Sequence, residues 1–278
     1  MQLEIVIYKL QFVFIVIALF VLSLMFSSTY VTEDILSSSS LSSFTFVKKI
    51  PQEDTSEIQI FEPEGIDVDS EGNVYVNDIG PNRILKFSKN GTYVLSWGST
   101  GSGNGQFNHP HGNEVDSQGN VYITDQDNQR VQKFKSNGTF ITKWGSEGSG
   151  DGQFIQPWDV AVDSDDNVYV PDYGNNRTQK FTNNGEFIAK WGTEGEGNGQ
   201  FKQPAVIAFD SADRMYVTDS ENHRVQIFSK NGTFITKWGN EGSGDGQFLK
   251  PESITVDSLG HVYVADTVNN NVQLFISN

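Results

Sequence analysis

A period of 47 residues organises this chain. Four tryptophans stand 47 residues apart, and each is followed by a glycine and, ten residues further on, by a phenylalanine. The tryptophans are Trp97, Trp144, Trp191 and Trp238, and the phenylalanines are Phe107, Phe154, Phe201 and Phe248. The spacing does not drift, so the chain from Pro63 onward is one unit copied without insertions. A fixed period of this size indicates a solenoid, a propeller or another array.

One unit contains the pattern of four short strands. From Pro157 the predicted strands are Val160–Asp163, Val168–Val170, Arg177–Phe181 and Phe187–Trp191. The sequence Asn184-Gly185 between the last two favours a hairpin turn, because both residues tolerate a positive φ. Apolar residues at helical spacing are lacking, which argues against a helical array. Four antiparallel strands per unit predict a propeller blade.

The units start near five aligned prolines: Pro63, Pro110, Pro157, Pro204 and Pro251. The last unit stops just after its third strand, and Ile50 lies 47 residues before Trp97. The segment Phe44–Ile50 is therefore predicted to supply the missing fourth strand and to close the ring, which leaves no open sheet edge. The predicted fold is an all-β, five-bladed β-propeller over residues 44–278, with four-stranded antiparallel blades.

The N-terminus differs from the repeats. Leu10–Phe26 is apolar and uncharged, Lys9 precedes it, and Glu33 and Asp34 follow it. Its length is at the short end of what spans a bilayer. Residues 1–26 are predicted to be a signal peptide or a membrane anchor outside the fold, and the serine-rich residues 27–43 a flexible stalk. The propeller is then expected to be extracytoplasmic, either membrane-anchored or secreted, with only the N-terminal segment in contact with the membrane.

Composition excludes several functions. The chain has no cysteine, which removes disulfides, thiolate zinc sites and cysteine nucleophiles. Its formal net charge is −16, so the surface repels phosphate backbones and argues against a nucleic-acid partner. The glycine-rich loops lack the Gly-Lys-Ser/Thr sequence and the following helix of a phosphate-binding loop. No cofactor is predicted.

The sequence Glu221-Asn222-His223-Arg224-Val225-Gln226, with Val217-Thr218-Asp219 before it and Lys237-Trp238-Gly239 after it, resembles the NHL repeat. The resemblance covers Phe44–Asn278. It implies a propeller that serves as a binding platform for proteins, RNA or small ligands. NHL propellers usually have six blades, so the five repeats are a departure. RNA-binding members have a basic face, which this acidic chain lacks.

Positions that recur in every blade are interpreted as structural. One aspartate is expected to accept hydrogen bonds from turn amides or from the arginine five residues later: Asp78, Asp125, Asp172, Asp219 and Asp266. A second aspartate is expected to cap the turn between the first and second strands: Asp69, Asp116, Asp163, Asp210 and Asp257.

Function is expected where the copies differ. One position near the start of the first strand reads Glu64, His111, Trp158, Ala205 and Glu252. First strands line the channel of a propeller, so these residues should surround one mouth, together with Tyr173 from the loop after the second strand. Aromatic surface beside a few polar groups is typical of a small-ligand or peptide pocket. The predicted ligand-binding residues are Glu64, His111, Trp158, Tyr173 and Glu252. Channel plugging and a solvated rim are the alternative interpretation.

The turn Asn108-His109-Pro110-His111-Gly112 resembles the histidine-bearing turn of NHL-like lyases, in which histidines from several blades hold zinc. The equivalent residues here are not histidines, so a three-histidine zinc site is absent. A recognition module for a protein or small-molecule ligand is the predicted function, without catalysis of its own. A metal-dependent lyase or hydrolase at the channel mouth is the alternative.

Four Asn-X-Thr sequons are candidate glycosylation sites: Asn90, Asn137, Asn176 and Asn231. Three of them coincide with hairpin turns, and the turn alone explains their sequence.

Overall fold

The computed structural model describes residues 58–276, which form five blades. The first blade contains β1 (Pro63–Val68), β2 (Val74–Asp78), β3 (Arg83–Phe87) and β4 (Tyr93–Trp97). The second contains β5 (Pro110–Val115), β6 (Asn120–Asp125), β7 (Arg130–Lys135) and β8 (Phe140–Trp144). The third contains β9 (Ala161–Val162), β10 (Val168–Asp172), β11 (Arg177–Phe181) and β12 (Phe187–Trp191). The fourth contains β13 (Pro204–Phe209), β14 (Arg214–Asp219), β15 (Arg224–Ser229) and β16 (Phe234–Trp238). The fifth contains β17 (Pro251–Val256), β18 (His261–Asp266) and β19 (Asn271–Ile276).

Every blade is an antiparallel meander, so the strand order follows the sequence. The turn glycine between the third and fourth strands has a positive φ in four blades, which is 88° at Gly185. The predicted all-β fold of five antiparallel blades is confirmed. Two strand ends differ from the prediction in the third blade. The inner strand is only Ala161–Val162, and β10 continues through Pro171 to Asp172. Pro171 is tolerated because its carbonyl still accepts a hydrogen bond from Trp158 N.

The core lies between neighbouring blades. The loop phenylalanine of one blade packs on the third-strand phenylalanine of the next, as Phe154 does on Phe181 with ring centroids 5.7 Å apart. Both rings are fully buried. Trp144 is only half-buried and lies over the turn of the next blade, where a side chain on Gly185 would meet the indole ring. The repeated aromatic residues therefore join blades to one another rather than fill a single centre.

Both sets of repeated aspartates are structural, as predicted. Asp172 is fully buried, pairs with Arg177 Nε at 2.7 Å and accepts a hydrogen bond from Ile155 N. Asp163 accepts hydrogen bonds from Asp165 N and Asn167 N, which closes the turn between β9 and β10. The same geometry recurs at the equivalent aspartates of the neighbouring blades. These contacts fix the loops that surround the channel.

The last blade presents a partly open outer strand among the described residues. Leu274 on β19 is 39% exposed, whereas its counterpart Ile227 on β15 is 8% exposed beneath the neighbouring β16. Each inner strand packs on the next from β1 through β5, β9 and β13 to β17. Among the described residues, β17 and β1 are not packed against each other in this way. The predicted closing strand Phe44–Ile50 lies outside the described residues, as do the predicted N-terminal segment 1–26 and stalk 27–43. Within residues 58–276, no helix is long and apolar enough to cross a bilayer.

Candidate functional site

The position near the start of the first strand that differs among the blades lies at one mouth of the channel. Glu64 on β1, His111 on β5, Glu252 on β17 and Trp158 before β9 line the same cavity of about 1050 Å³. Ala205, at the same position in the fourth blade, is fully buried and does not line it. Glycines allow the inner strands to approach here, since a side chain on Gly65 would collide with the carbonyl of His111. Four of the five predicted ligand-binding residues thus share one cavity.

Glu64 is the centre of a polar cluster with two histidines. Its Oε2 lies 3.1 Å from His111 Nε2 and 3.6 Å from His109 Nε2. Pairing with Glu64 raises the pKa of His109 above its ordinary value. Burial lowers the pKa of His111, although Glu64 acts in the opposite direction. The two histidines therefore differ, because the pKa of His109 at the rim is raised and the pKa of His111 at the mouth is lowered.

Three aromatic rings continue from this cluster. His111 lies 4.2 Å from the ring of Trp158, centroid to centroid, and Trp158 stacks on Tyr173 at 4.5 Å with 19° between the planes. Tyr173 begins the 3-10 turn Tyr173–Asn175 after β10 and is 8% exposed. Its hydroxyl donates to Gln203 Oε1 at 2.7 Å. Tyr173 does not line the cavity itself; it holds the indole of Trp158, which does.

The opposite side of the mouth carries a cation. Lys250 Nζ lies 2.9 Å from Glu252 and 4.0 Å from Glu221. The charge of Glu252 also acts on His111 across the cavity, where it opposes the lowering of that histidine's pKa by burial. The mouth therefore presents paired charges on both sides of one aromatic surface, an arrangement suited to orienting a polar ligand.

Sequence reasoning missed several residues of this site. His109 and Lys250, the partners of the two mouth glutamates, are absent from the predicted set. Three channel carboxylates below the mouth were missed as well: Asp67, Glu114 and Asp159. The repeats could have identified two of them, because their shared position is acidic in the first two blades and uncharged in the other three. It reads Asp67, Glu114, Ala161, Ala208 and Thr255.

The four sequons differ in their surroundings. Asn90, Asn137 and Asn231 are exposed at the hairpin turns that join third and fourth strands. Asn176 is half-buried, has a φ of 53°, and accepts a hydrogen bond from Gln203 N at 2.8 Å. A glycan would be attached to Nδ2 of this half-buried side chain, beside the contact between blades.

No group of three or more histidine, aspartate or glutamate side chains within the described range is placed to hold a metal ion. Glu64, His109 and His111 come nearest to such a set in composition. Their side chains are joined to one another by the contacts given above.

The fold and the mouth define a class: a β-propeller assembled from copied blades, with its unequal residues gathered at one end of the channel. Residues 107–134 and 154–181 match the family model of the NHL repeat, and residues 206–275 match a model described as a 6-bladed beta-propeller. The chain is therefore a β-propeller, two segments of which match the NHL repeat. No curated protein matches its sequence.

Solved structures with the same fold have varied functions. The propeller in a nidogen/laminin complex is 19% identical, with a TM-score of 0.59, and the match covers 78% of this chain and 76% of that one. Virginiamycin B lyase from Staphylococcus aureus is 15% identical, with a TM-score of 0.57 and coverage of 77% and 69%. A gluconolactonase from Xanthomonas campestris is 14% identical, with a TM-score of 0.55 and coverage of 77% and 75%. At these identities the likeness shows the fold alone, and the fold hosts both binding and catalysis.

Proposed function

We propose that this protein is a recognition module that binds a protein segment or small molecule at the channel mouth and has no catalytic activity of its own. The observation that carries the proposal is the half-buried Trp158, which is held by Tyr173 and His111 over an open cavity. Large aromatic side chains that are pre-positioned beside a cavity supply binding energy at little entropic cost. The propeller of the nidogen/laminin complex is a precedent for partner binding by this fold.

The second candidate is a metal-dependent lyase or hydrolase at the same mouth. The cluster of Glu64 with two histidines favours it, and virginiamycin B lyase is a precedent for catalysis by this fold. The described side chains nevertheless lack a three-ligand arrangement, so catalysis would require the cluster to rearrange. Titration of the full chain with Zn²⁺ separates the candidates. Stoichiometric binding that is lost in His111→Ala would favour the enzyme.

We further propose that Phe44–Ile50 pairs with β19 and completes the fifth blade. The exposed Leu274 supports this, because its counterpart Ile227 is covered by a fourth strand. Residues 1–26 would tether or export the propeller, and residues 27–43 would act as the stalk. The mouth would then face partners outside the cytoplasm.

A library of metabolites and short peptides, screened by thermal shift on the full chain, tests the main proposal. Compounds that raise the melting temperature of the wild type but not of the Trp158→Ala/Tyr173→Ala variant support it. Compounds that raise the melting temperature of the wild type and of the variant equally would show that they bind outside the channel mouth.

A further inference from the structure

The wall of the channel below the mouth has two unlike halves. The first three blades contribute the carboxylates of Asp67, Glu114 and Asp159. The later blades contribute an aliphatic wall formed by Val206, Ile207, Ala208, Ile254 and Val256. Below the mouth the carboxylates therefore come from the first three blades, where Ile66, Val160 and Val162 lie among them, and the fifth blade adds Glu252 and Asp266 to the lining.

Each carboxylate is held by the backbone of the next blade. Asp67 Oδ2 accepts a hydrogen bond from Val115 N at 2.7 Å, and Asp159 Oδ2 accepts one from Ile207 N at 3.4 Å. Glu114 accepts from the backbone of Val162 in the same manner. These contacts fix the carboxylates in place but use only part of their accepting capacity, since an ionised carboxylate has about four acceptor sites.

A buried amide lies beside them. Asn113 replaces an aliphatic residue that the other blades keep as Ile66, Val160, Ile207 and Ile254. Asn113 is 5% exposed and lines the cavity. Its Nδ2 donates to Asn77 Oδ1 at 2.9 Å, but its Oδ1 accepts no hydrogen bond from any residue of the described range. A buried acceptor without a donor is unfavourable, so its presence where an aliphatic residue fits indicates a donor that arrives with a ligand.

The residues that line the described cavity include no lysine or arginine. We propose that the ligand of the mouth carries an organic ammonium group, which enters the channel between Asp67, Asn113 and Glu114 while its apolar body lies on the aliphatic wall. This inference rests on the proposed binding function and specifies the chemical class of the ligand. An ammonium group supplies three donors and one positive charge, which this half of the wall lacks.

The electrostatics of the channel agree with this assignment. Burial raises the pKa of Asp67 and of Asp159 to about 7. Burial, followed by the charges of Asp67 and Asp159, raises the pKa of Glu114 well above its usual range. A bound ammonium group would offset both causes. A compact metal ion fits less well, because each carboxylate is tied to a different blade and no metal-binding group forms among the described side chains.

Three probes with the same phenethyl group test the inference: phenethylamine, 2-phenylethanol and 3-phenylpropionate, which end in an ammonium, a hydroxyl and a carboxylate. Calorimetric titration of the full chain at pH 8 is expected to show phenethylamine binding at least tenfold more tightly than 2-phenylethanol, and 3-phenylpropionate most weakly. Equal affinity for the amine and the alcohol would overturn the inference while leaving a functional mouth. Failure of all three to bind would overturn it as well.

The repeats supply variants that preserve the fold. Asp67→Thr and Glu114→Ala introduce the residues that Thr255 and Ala161 place at the same position in other blades. The double variant is expected to lose the tenfold preference for the amine, so that phenethylamine binds no more tightly than 2-phenylethanol. The control, Glu147→Ala with Glu241→Ala, removes two exposed charges outside the channel and should retain the preference. Loss of the preference in the control would assign it to general surface charge instead.

Discussion

The indole of Trp158 lies on the ring of Tyr173, with centroids 4.5 Å apart and planes 19° from parallel. Trp158 comes from the segment before β9, and Tyr173 from the 3-10 turn after β10. The stack therefore connects the channel strand of the third blade to its surface loop. Because the Tyr173 hydroxyl also donates to Gln203 in the following blade, the ring that supports Trp158 is fixed at both ends.

The first prediction concerns this stack. Trp158→Ala combined with Tyr173→Ala should weaken binding of mouth ligands at least tenfold, because anchoring aromatics contribute about 2 kcal/mol or more at hot spots. The melting temperature of Trp158→Ala alone should fall only slightly, since Trp158 is half-buried beside an open cavity, whereas Tyr173→Ala also removes a buried ring and its hydrogen bond to Gln203. Thermal melts and calorimetric titration measure the two effects separately.

Trp144→Ala is the matched control. Trp144 is also half-buried, but it packs between blades on Phe181 and on the turn at Gly185. This variant should lose about 2–3 kcal/mol of stability, somewhat less than a fully buried tryptophan would. If Trp158→Ala loses as much stability as Trp144→Ala, the stack of Trp158 on Tyr173 has a structural role only.

The second prediction compares two aspartates that occupy the same position in neighbouring blades. Asp219→Asn should cost about 3–5 kcal/mol, because it leaves the charge of buried Arg224 without its partner. Asp266→Asn should lower the free energy of unfolding by about 1 kcal/mol, because Asn271 stands where the other blades have arginine. The substitution weakens the hydrogen bonds that Asp266 accepts from Leu249 N, Lys250 N and Asn269. Urea unfolding measures both, and equal losses would refute the difference.

The third prediction concerns the dependence of stability on pH. Burial raises the pKa of Asp67 from 3.8 to about 7, and Asp69, Glu114 and Asp159 are the nearby acidic groups. The folded state then binds more protons than the unfolded state, so the stabilising contribution of Asp67 is greatest below pH 3.8 and is lost as the pH rises to about 7. Asp67→Asn keeps an acceptor for Val115 N and has no charge to bury. Its stability relative to the wild type should be about 1–3 kcal/mol higher at pH 8 than at pH 5.

Asp69→Asn serves as the control for that experiment. Burial acts to raise the pKa of Asp69, but hydrogen bonds from Asn73 and Tyr75 and the charge of Lys86 hold it below its usual value. Its stabilising contribution is therefore complete at both pH 5 and pH 8. The loss on substitution should be the same at the two pH values. A similar pH trend in both variants would contradict the assignment to Asp67.

The fourth prediction tests closure of the fifth blade. The repeat places Lys48 opposite Leu274, as Thr236 lies opposite Ile227 in the fourth blade. Since the chain has no cysteine, Lys48→Cys with Leu274→Cys should give one intramolecular disulfide on mild oxidation. Lys49→Cys with Leu274→Cys should not, because a slip of one residue points the side chain to the other face. Equal cross-linking of both pairs, or of neither, would show the closure to be wrong.

The fifth prediction concerns the N-terminal segment. Cells that express the full chain should hold the propeller outside the cytoplasmic membrane, accessible to added protease, because Leu10–Phe26 is apolar and preceded by Lys9. Deletion of residues 1–26 should leave the protein inside. Recovery of the intact full chain in the cytoplasmic fraction would contradict the assignment.

The position that differs among the blades was predictable, and the partners of its residues were not. Glu64, His111, Trp158 and Glu252 could be named because their position varies within a unit that is otherwise closely copied. The pairing of Glu64 with His109, and of Glu252 with Lys250, could not be read from the spacing. Those contacts depend on the direction of side chains within turns. The turn that contains Lys250 is as polar as the equivalent turns of the other blades, so its sequence does not single it out.

The sequence by itself determined the architecture, because a 47-residue unit of four strands cannot bury its faces except against its own copies. The recurring Asp172 and Arg177 and the loop phenylalanines followed from the same period. Only the tertiary structure decided which unequal residues meet. Asp67, Glu114 and Asp159 are far apart in the chain and face one cavity only because the inner strands converge on a common axis. Their altered pKa values arise from that convergence and the burial it imposes, which no local pattern of residues encodes.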